Sequence, residues 1–274
     1  MKRRFWFLLV TILAIASISV SSASARGSFR AGGKGGFHIT SALGDITGSQ
    51  SFPIQGEGVF TVSLRELEAS NGFTVGAFFA YQISDLFLVQ PEILYVAKGE
   101  RNQSIDLGLS VPQTEISLPS LGLTWKGLDY IAIPVLLKLS LPTEAPVRPN
   151  FFAGPELAFN IGEKKLGVRI PEEWNDLAGA LVSGEYELDA DHLIKGFDPG
   201  VVFGAGVDVA LGSVFIALEG RYTLGLISWT DIGDHLIVSH PDLNLEDVFL
   251  PIDKDDARNG GFSFMAGVGI PFGR

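Results

Sequence analysis

The residues of this sequence best able to do chemistry are its carboxylates and its four histidines. Asp and Glu number 31 against 20 Lys and Arg, a formal charge of −11, and there is no Cys. The missing thiols exclude disulfide scaffolds, thiolate zinc sites and thiol nucleophiles together. The negative charge argues against a nucleic-acid partner, which the average surface would repel. Asp191-His192 and Asp234-His235, with His240, place imidazole bases beside carboxylates. Adjacent residues of an extended chain point to opposite sides, so neither dipeptide is itself a catalytic pair, and no G-x-S-x-G element supplies a nucleophile. These histidines read as solvated loop residues. No catalytic residue is assigned and the protein is expected not to be an enzyme, with a hydrolase or acyltransferase acting on lipid or peptide at an outer rim as the alternative. Asp231/Asp234 and Asp253/Asp255/Asp256 offer the oxygen ligands that Ca²⁺ and Mg²⁺ take, without the spacing of a known calcium loop. They read as a solvated acidic face, with no metal and no cofactor expected.

A second set of ionisable residues lies in segments where apolar residues alternate. Eight such segments, at about 35–44, 72–82, 86–98, 128–140, 150–162, 199–210, 214–226 and 260–272, show the period-2 pattern of β-strands. One register is almost wholly apolar, as in Ile131, Ile133, Val135, Leu137 and Leu139, or Phe262, Phe264, Ala266, Val268, Ile270 and Phe272. The opposite register carries Gln90, Glu92, Lys98, Lys138, Glu156, Asp208, Glu219 and Arg221, with His38 in the first strand.

Alternation alone would also suit a soluble β-sandwich. The connections discriminate, because they run long, short, long, short, long, short, long: 45–71, 83–85, 99–127, 141–149, 163–198, 211–213 and 227–259. That is the pattern of an all-β, eight-stranded antiparallel up-and-down transmembrane β-barrel with long extracellular loops and short periplasmic turns. At its head, Lys2, Arg3 and Arg4 precede an apolar run from Phe5 to Val20 and the small residues Ala23-Ser24-Ala25. Residues 1–25 therefore read as a secretory signal peptide for Sec-type export, and 26–274 as the barrel domain, placed in a bacterial outer membrane. Losing three basic residues with the leader takes the formal charge from −11 to −14. That negative charge falls on the four long loops and the remainder is close to neutral, as a wall in lipid requires.

An eight-stranded barrel has an interior only just wide enough for its side chains. Charges of both signs on the inward register should pair across it, since an unpaired buried charge is costly. No open pore is expected, and a narrow channel through these groups is an alternative. Gly76, Gly154, Gly204, Gly206, Gly267 and Gly269 on the same register make room for the long charged side chains. Phe87, Phe151 and Phe272 fall at one set of strand ends and Phe73, Trp125, Trp229 and Phe262 near the other, as interfacial aromatics do; for the two tryptophans, packing within the loops fits equally well. Apolar alternation continues in the loops at Ile105, Leu107, Leu109 and Val111, and again at Leu236, Val238 and Val248 to Leu250. Several strands are therefore expected to continue as hairpins above the membrane.

The strand segments also carry a resemblance. GFTVGAFFAYQIS (72–84), LFLVQPEILYVAKGE (86–100), LDYIAIPVLLKLSL (128–141), FFAGPELAF (151–159), GVVFGAGVDV (200–209) and FIALEGRYTLGL (215–226) are similar to the PorT-type outer-membrane β-barrel family of Bacteroidetes and relatives. The resemblance implies an eight-stranded outer-membrane barrel and says little about activity, a few members being linked to protein secretion and gliding. Gly267, Ile270 and Phe272 resemble the signal read by the outer-membrane assembly machinery, with Gly273 and Arg274 extending past the usual terminal aromatic. The expected role is a structural or binding component of the cell envelope, including a subunit of a secretion-type assembly. Its expected partners are outer-membrane lipid, the assembly machinery and an envelope protein met through the extracellular loops.

Overall fold

The computed structural model describes residues 28–272 apart from 44–45, 55–57, 66, 112–113, 144, 180, 231–234, 239–247, 252 and 255–257. Residues 1–25, expected to be a signal peptide, His240, Asp231, Asp234, Asp255 and Asp256, and the terminal Gly273 and Arg274 lie outside the described residues. In chain order, β1 (Phe29–Leu43) leads into β2 (Ile46–Ile54) and β3 (Gly58–Leu64), and β4 (Ser70–Gln82) returns to pair with β1. Then come β5 (Phe87–Ala97), the long hairpin β6 (Arg101–Val111) and β7 (Thr114–Lys126), β8 (Asp129–Ser140) and β9 (Val147–Asn160). The third loop holds β10 (Lys165–Ile170), α1 (Glu173–Ala178) and β11 (Gly184–Asp189), before β12 (Phe197–Leu211) and β13 (Val214–Ser228). Finally β14 (His235–Val238), β15 (Val248–Pro251) and β16 (Asp253–Lys254) precede β17 (Arg258–Phe272).

Eight of these strands form a closed barrel in the order β1-β17-β13-β12-β9-β8-β5-β4. Closure comes from β1 against β17, paired without a break from Phe29↔Phe272 to Leu43↔Arg258. Every neighbouring pair is antiparallel and sequential, so the wall is up-and-down, as the loop lengths imply. The short connections 83–86, 141–146 and 212–213 share one end with Phe29 and Phe272. The first strand begins six residues earlier than the alternation suggests, because Gly32, Gly33, Gly35 and Gly36 around Lys34 leave no apolar register to read. Among the described residues no helix is long and apolar enough to cross a membrane. Strands do the crossing, which lets each residue's N–H and C=O pair laterally with no edge facing lipid.

The outward register is a continuous apolar surface. Phe37, Phe73, Ile93, Leu137, Phe264, Val268 and Ile270 are each about half exposed in the isolated chain, which in a membrane means contact with acyl chains. Aromatic residues form patches toward both ends: Phe29 with Phe79, Tyr81 and Phe272 on the periplasmic side, and Phe203, Tyr222 and Phe262 on the other. Trp125 and Trp229 belong to neither patch. They are buried inside the extracellular cap, so loop packing is the role they fill.

Prolines interrupt the wall. The β4–β5 ladder lapses between Phe78↔Glu92 and Tyr81↔Val89, beside Pro91. The β5–β8 and β8–β9 ladders lapse in the same way beside Pro134 and Pro155. Proline has no N–H to give to a neighbour, so a break at each is expected. Above the wall the long loops do not spread apart. Their strands form one seven-stranded sheet, ordered β11-β10-β7-β6-β3-β2-β16, with β14 and β15 paired beside it. The hairpins expected at Ile105 to Val111 and at Leu236 to Leu250 are present as β6–β7 and β14–β15.

A charge on the outward face at mid-height should be expensive. Ile93→Lys in β5 is predicted to destabilise the barrel by about 2–4 kcal/mol, read from urea unfolding in lipid vesicles followed by tryptophan fluorescence. Lysine at the exposed sheet position Ser117 is expected to change stability by no more than about 0.5 kcal/mol.

Candidate functional site

The lumen is built by the inward register, and all eight ionisable or amide residues expected there line it. They form three layers with different partners. At the periplasmic end Asp208 meets Arg30 at 3.3 Å and accepts a hydrogen bond from the Asn150 amide, also at 3.3 Å. In the middle, Glu92 and Glu219 lie among Lys34, Lys138 and Arg221, all five about 5% exposed or less. Lys34 Nζ donates to both carboxylates, at 2.7 Å to Glu92 and 2.8 Å to Glu219. Arg221 bridges the same two, donating to Glu92 Oε2 at 2.8 Å and to Glu219, whose other oxygen takes Lys138. Gln90 completes the layer by donating to Glu92 at 2.6 Å. Apolar rings pack beside this layer, with Lys34 5.0 Å over Phe78 and Lys138 5.1 Å over Phe152. Gly204 and Gly269 make room for the rings of Phe152 and Phe215, a correction to the expectation that the inward glycines serve the charged side chains alone. Gly267 does serve one: a Cβ there would meet the stem of Lys34.

The outer layer joins the barrel to its cap. Lys98 pairs with Asp198 at 3.0 Å and lies 4.0 Å over the Tyr130 ring. Asn259 donates to Asp198 and accepts from Arg101 at 2.8 Å, and Arg101 stacks 5.0 Å from the Trp229 ring. Above them Trp125 and Trp229 meet edge to face at 5.6 Å, surrounded by Leu67, Leu123, Leu166, Ala190 and Ile194. This apolar layer closes the mouth.

Between the middle and outer layers lies a small cavity lined by His38, Thr74, Tyr130, Glu156, Arg221 and Ser263, among others. His38 Nδ1 and Ser263 Oγ are hydrogen-bonded at 2.7 Å. The cavity gives water-sized molecules about 20 Å³, room for one or two waters and for no sugar or fatty acid. Glu156 reaches it without an ion pair or hydrogen bond to any described residue, and the Tyr130 and Thr74 hydroxyls and Arg221 Nε are likewise unpartnered. Glu156 therefore stands apart from the pairing expected for the lumen: it points inward as its register predicts, but among the described residues no ion pair holds it.

Four partners in these layers escape a reading of the sequence. Lys34 sits in the glycine run, Asp198 precedes the first alternating residue of β12, and Arg30 and Arg101 fall in stretches without alternation. Only the requirement that Asp208, Glu92 and Lys98 find counter-charges points to Arg30, Lys34 and Asp198, and no such signal points to Arg101, which Asn259 holds. The assembly-signal residues lie at the periplasmic end of β17, Gly267 facing inward and Ile270 and Phe272 facing lipid. In the loops, His192 lies in a turn, and the Asp191 N–H donates to the Asp189 carboxylate at 2.8 Å. Among the described residues no three His, Asp or Glu side chains gather as metal ligands.

The cap contrasts with the lumen. On its polar face Asp106 accepts from Ser120 at 2.7 Å and from Arg65. The Ser120 hydroxyl first, and then Arg65, hold its carboxyl below the ordinary carboxylate value. A depressed folded-state pKa adds stability above the unfolded value, and that stability is lost as pH falls through the folded one.

The middle layer holds three cations against two carboxylates, so its members are not equivalent. Glu219→Gln leaves three cations facing one carboxylate and is predicted to cost about 3–5 kcal/mol. Lys138→Met leaves the charges equal and should cost clearly less. Asp106→Asn in the cap should cost at most about 1 kcal/mol, because Arg65 is solvated. Urea unfolding of the three variants in one lipid tests the order, and an equal or larger loss for Lys138→Met than for Glu219→Gln would contradict the charge count.

Among solved structures, the chain is similar to neisserial surface protein A, at 12% identity and a TM-score of 0.39, over 92% of this chain and 100% of that one. It is also similar to OprG from Pseudomonas aeruginosa, at 12% identity and a TM-score of 0.42, over 90% and 97% of the two chains. For Ail of Yersinia pestis, whose structure contains a heparin analogue, the figures are 10%, 0.32, 89% and 99%. No curated protein sequence matches the chain. The family model described as the outer membrane protein beta-barrel domain matches residues 19–231, most of the chain. With the closed eight-stranded wall, its apolar outer surface and its charge-filled lumen, the chain belongs to that family and is an integral β-barrel of the bacterial outer membrane.

Proposed function

We propose that the protein acts as a binding component of the cell envelope, and that its extracellular sheet, not its lumen, is the working surface. The observation that carries this reading is the contrast between the two. The lumen is filled by paired charges and closed by the layer around Trp125 and Trp229. The long loops, by contrast, are organised into a seven-stranded sheet with one polar and one apolar face. An ordered sheet costs conformational entropy that loose loops would not, and its ordered state supplies a surface of fixed shape.

The same reading makes the protein a non-enzyme and gives it an envelope protein as partner. A place in a secretion-type assembly, and a closer kinship with PorT-type barrels, rests on the strand motifs from QPE at 90–92 to Glu219-Gly220-Arg221-Tyr222. Export by a cleaved leader and assembly through the β17 residues complete the proposed route to the membrane.

A photo-crosslinking residue placed at Ser117 or Thr61 on the sheet, in the full protein in native cells, should give a discrete adduct with an envelope protein. The same residue at Ile93, facing lipid, should not. Purified protein in planar bilayers should carry no steady current. Adducts from no sheet position would overturn the binding role, and steady conductance would favour a channel.

A further inference from the structure

The extracellular sheet ends on a strand whose outer edge is open. β11 is its last strand, pairing with β10 through Lys165↔Asp189, Leu166↔Leu188, Gly167↔Glu187, Val168↔Tyr186, Arg169↔Glu185 and Ile170↔Gly184. The Ala190 N–H donates to the Lys164 carbonyl at 3.0 Å, which fixes the alternation of the ladder. Residues 184, 186, 188 and 190 turn their N–H and C=O groups toward β10, so those of Glu185, Glu187 and Asp189 point away from the sheet. Among the described residues nothing pairs with them. All six residues of the strand are exposed.

The opposite edge is different. There β2 carries Pro53 and is flanked by β16. Natural proteins blunt sheet edges with prolines, bulges, charged side chains or short covering strands; β2 has a proline and a covering strand, whereas β11 has only its three acids. β11 has no proline and keeps its register throughout.

Its side chains say what would fit. Tyr186 and Leu188 lie opposite Val168 and Leu166, so they extend the apolar face that packs over the barrel mouth, yet each remains about half exposed at 49% and 53%. Glu185, Glu187 and Asp189 lie on the other face. A second copy of this chain is a poor match, since antiparallel pairing of β11 with itself would set these three acids against their equals, and like charges directly opposite are destabilising. Lys126, which donates to Glu187 at 2.8 Å, and Lys165 already show that this face takes lysines.

Resting on the reading of the sheet as the binding surface, we propose that the open edge of β11 takes up an extended basic segment of a partner protein as an added antiparallel strand. The segment is one in which Lys or Arg alternates with apolar residues. Three basic side chains would lie opposite Glu185, Glu187 and Asp189, and the apolar ones between them opposite Tyr186 and Leu188. Main-chain hydrogen bonds would supply affinity, and the alternation would supply specificity.

The test uses the full protein in nanodiscs of zwitterionic lipid and a fluorescent heptapeptide alternating lysine and valine, read by anisotropy. The lysine peptide should bind, and its glutamate counterpart should not. Glu187→Pro removes one outward donor while leaving every β10–β11 bond in place, and should weaken binding by at least about tenfold. In the unaltered protein, hydrogen exchange at Glu185, Glu187 and Asp189 should slow on addition of the lysine peptide; no slowing there overturns the proposal whether or not the proline variant folds. So would equal binding of the two peptides, unchanged binding to a folded Glu187→Pro protein, or self-association through β11. An envelope partner crosslinked equally well by Glu187→Pro cells would leave the binding role standing and remove only this edge as its site.

Discussion

A strand in lipid has nowhere to put an unpaired N–H or C=O, and everything else in this molecule follows from meeting that demand by closure. The fifteen-residue seam of β1 against β17 turns what would be two raw edges into wall. Closure with eight strands then sets the diameter, and the diameter decides what the interior holds. Charged side chains stay inside only because each layer brings its own counter-ions, from strands that are neighbours across the lumen and far apart in sequence. Glu92 on β5 and Glu219 on β13 are held by Lys34 from β1 and Lys138 from β8. The network therefore exists only once the barrel is shut, and it ties β1 to β5, β8 and β13 across the lumen.

The cap obeys a different physics. Its strands lie in water, where edges are tolerated and surface pairs such as Lys126 with Glu187 add little to stability. Its coherence comes from burial around the edge-to-face pair Trp125 and Trp229, and from Arg101, which reaches from β6 to Asn259 on β17. Among the described residues, wall and cap are thus joined by the Arg101 guanidinium and by one apolar layer.

Much of this was legible in the sequence where alternation was strong. Ile131 through Leu139 faces outward with Lys138 inward, and the order of long and short connections predicts the topology observed. What could not be read is who pairs with whom. Lys34 hides in a glycine run because glycine gives no register, and Asp198 lies one residue before the pattern begins. The partners of Glu92 depend on strand stagger, which period-2 arithmetic does not contain. Glu156 shows the limit in the other direction: its inward register is plain from the sequence, but its lack of a contact partner is a property of the closed lumen. The joining of four loops into one sheet was likewise out of reach, since alternation in a loop predicts a strand and not its neighbours.

Three of the six prolines in the wall, those beside its lapsed ladders, have a mechanical consequence. Pro91, Pro134 and Pro155 lie on adjacent strands, so the lapses beside them fall in successive ladders across β4, β5, β8 and β9. The far side, from β9 through β12 to β13 and from β17 to β1, keeps continuous ladders in the membrane region. The cylinder is therefore stiff on one flank and compliant on the other, and a squeeze from the surrounding bilayer would flatten it along one fixed direction.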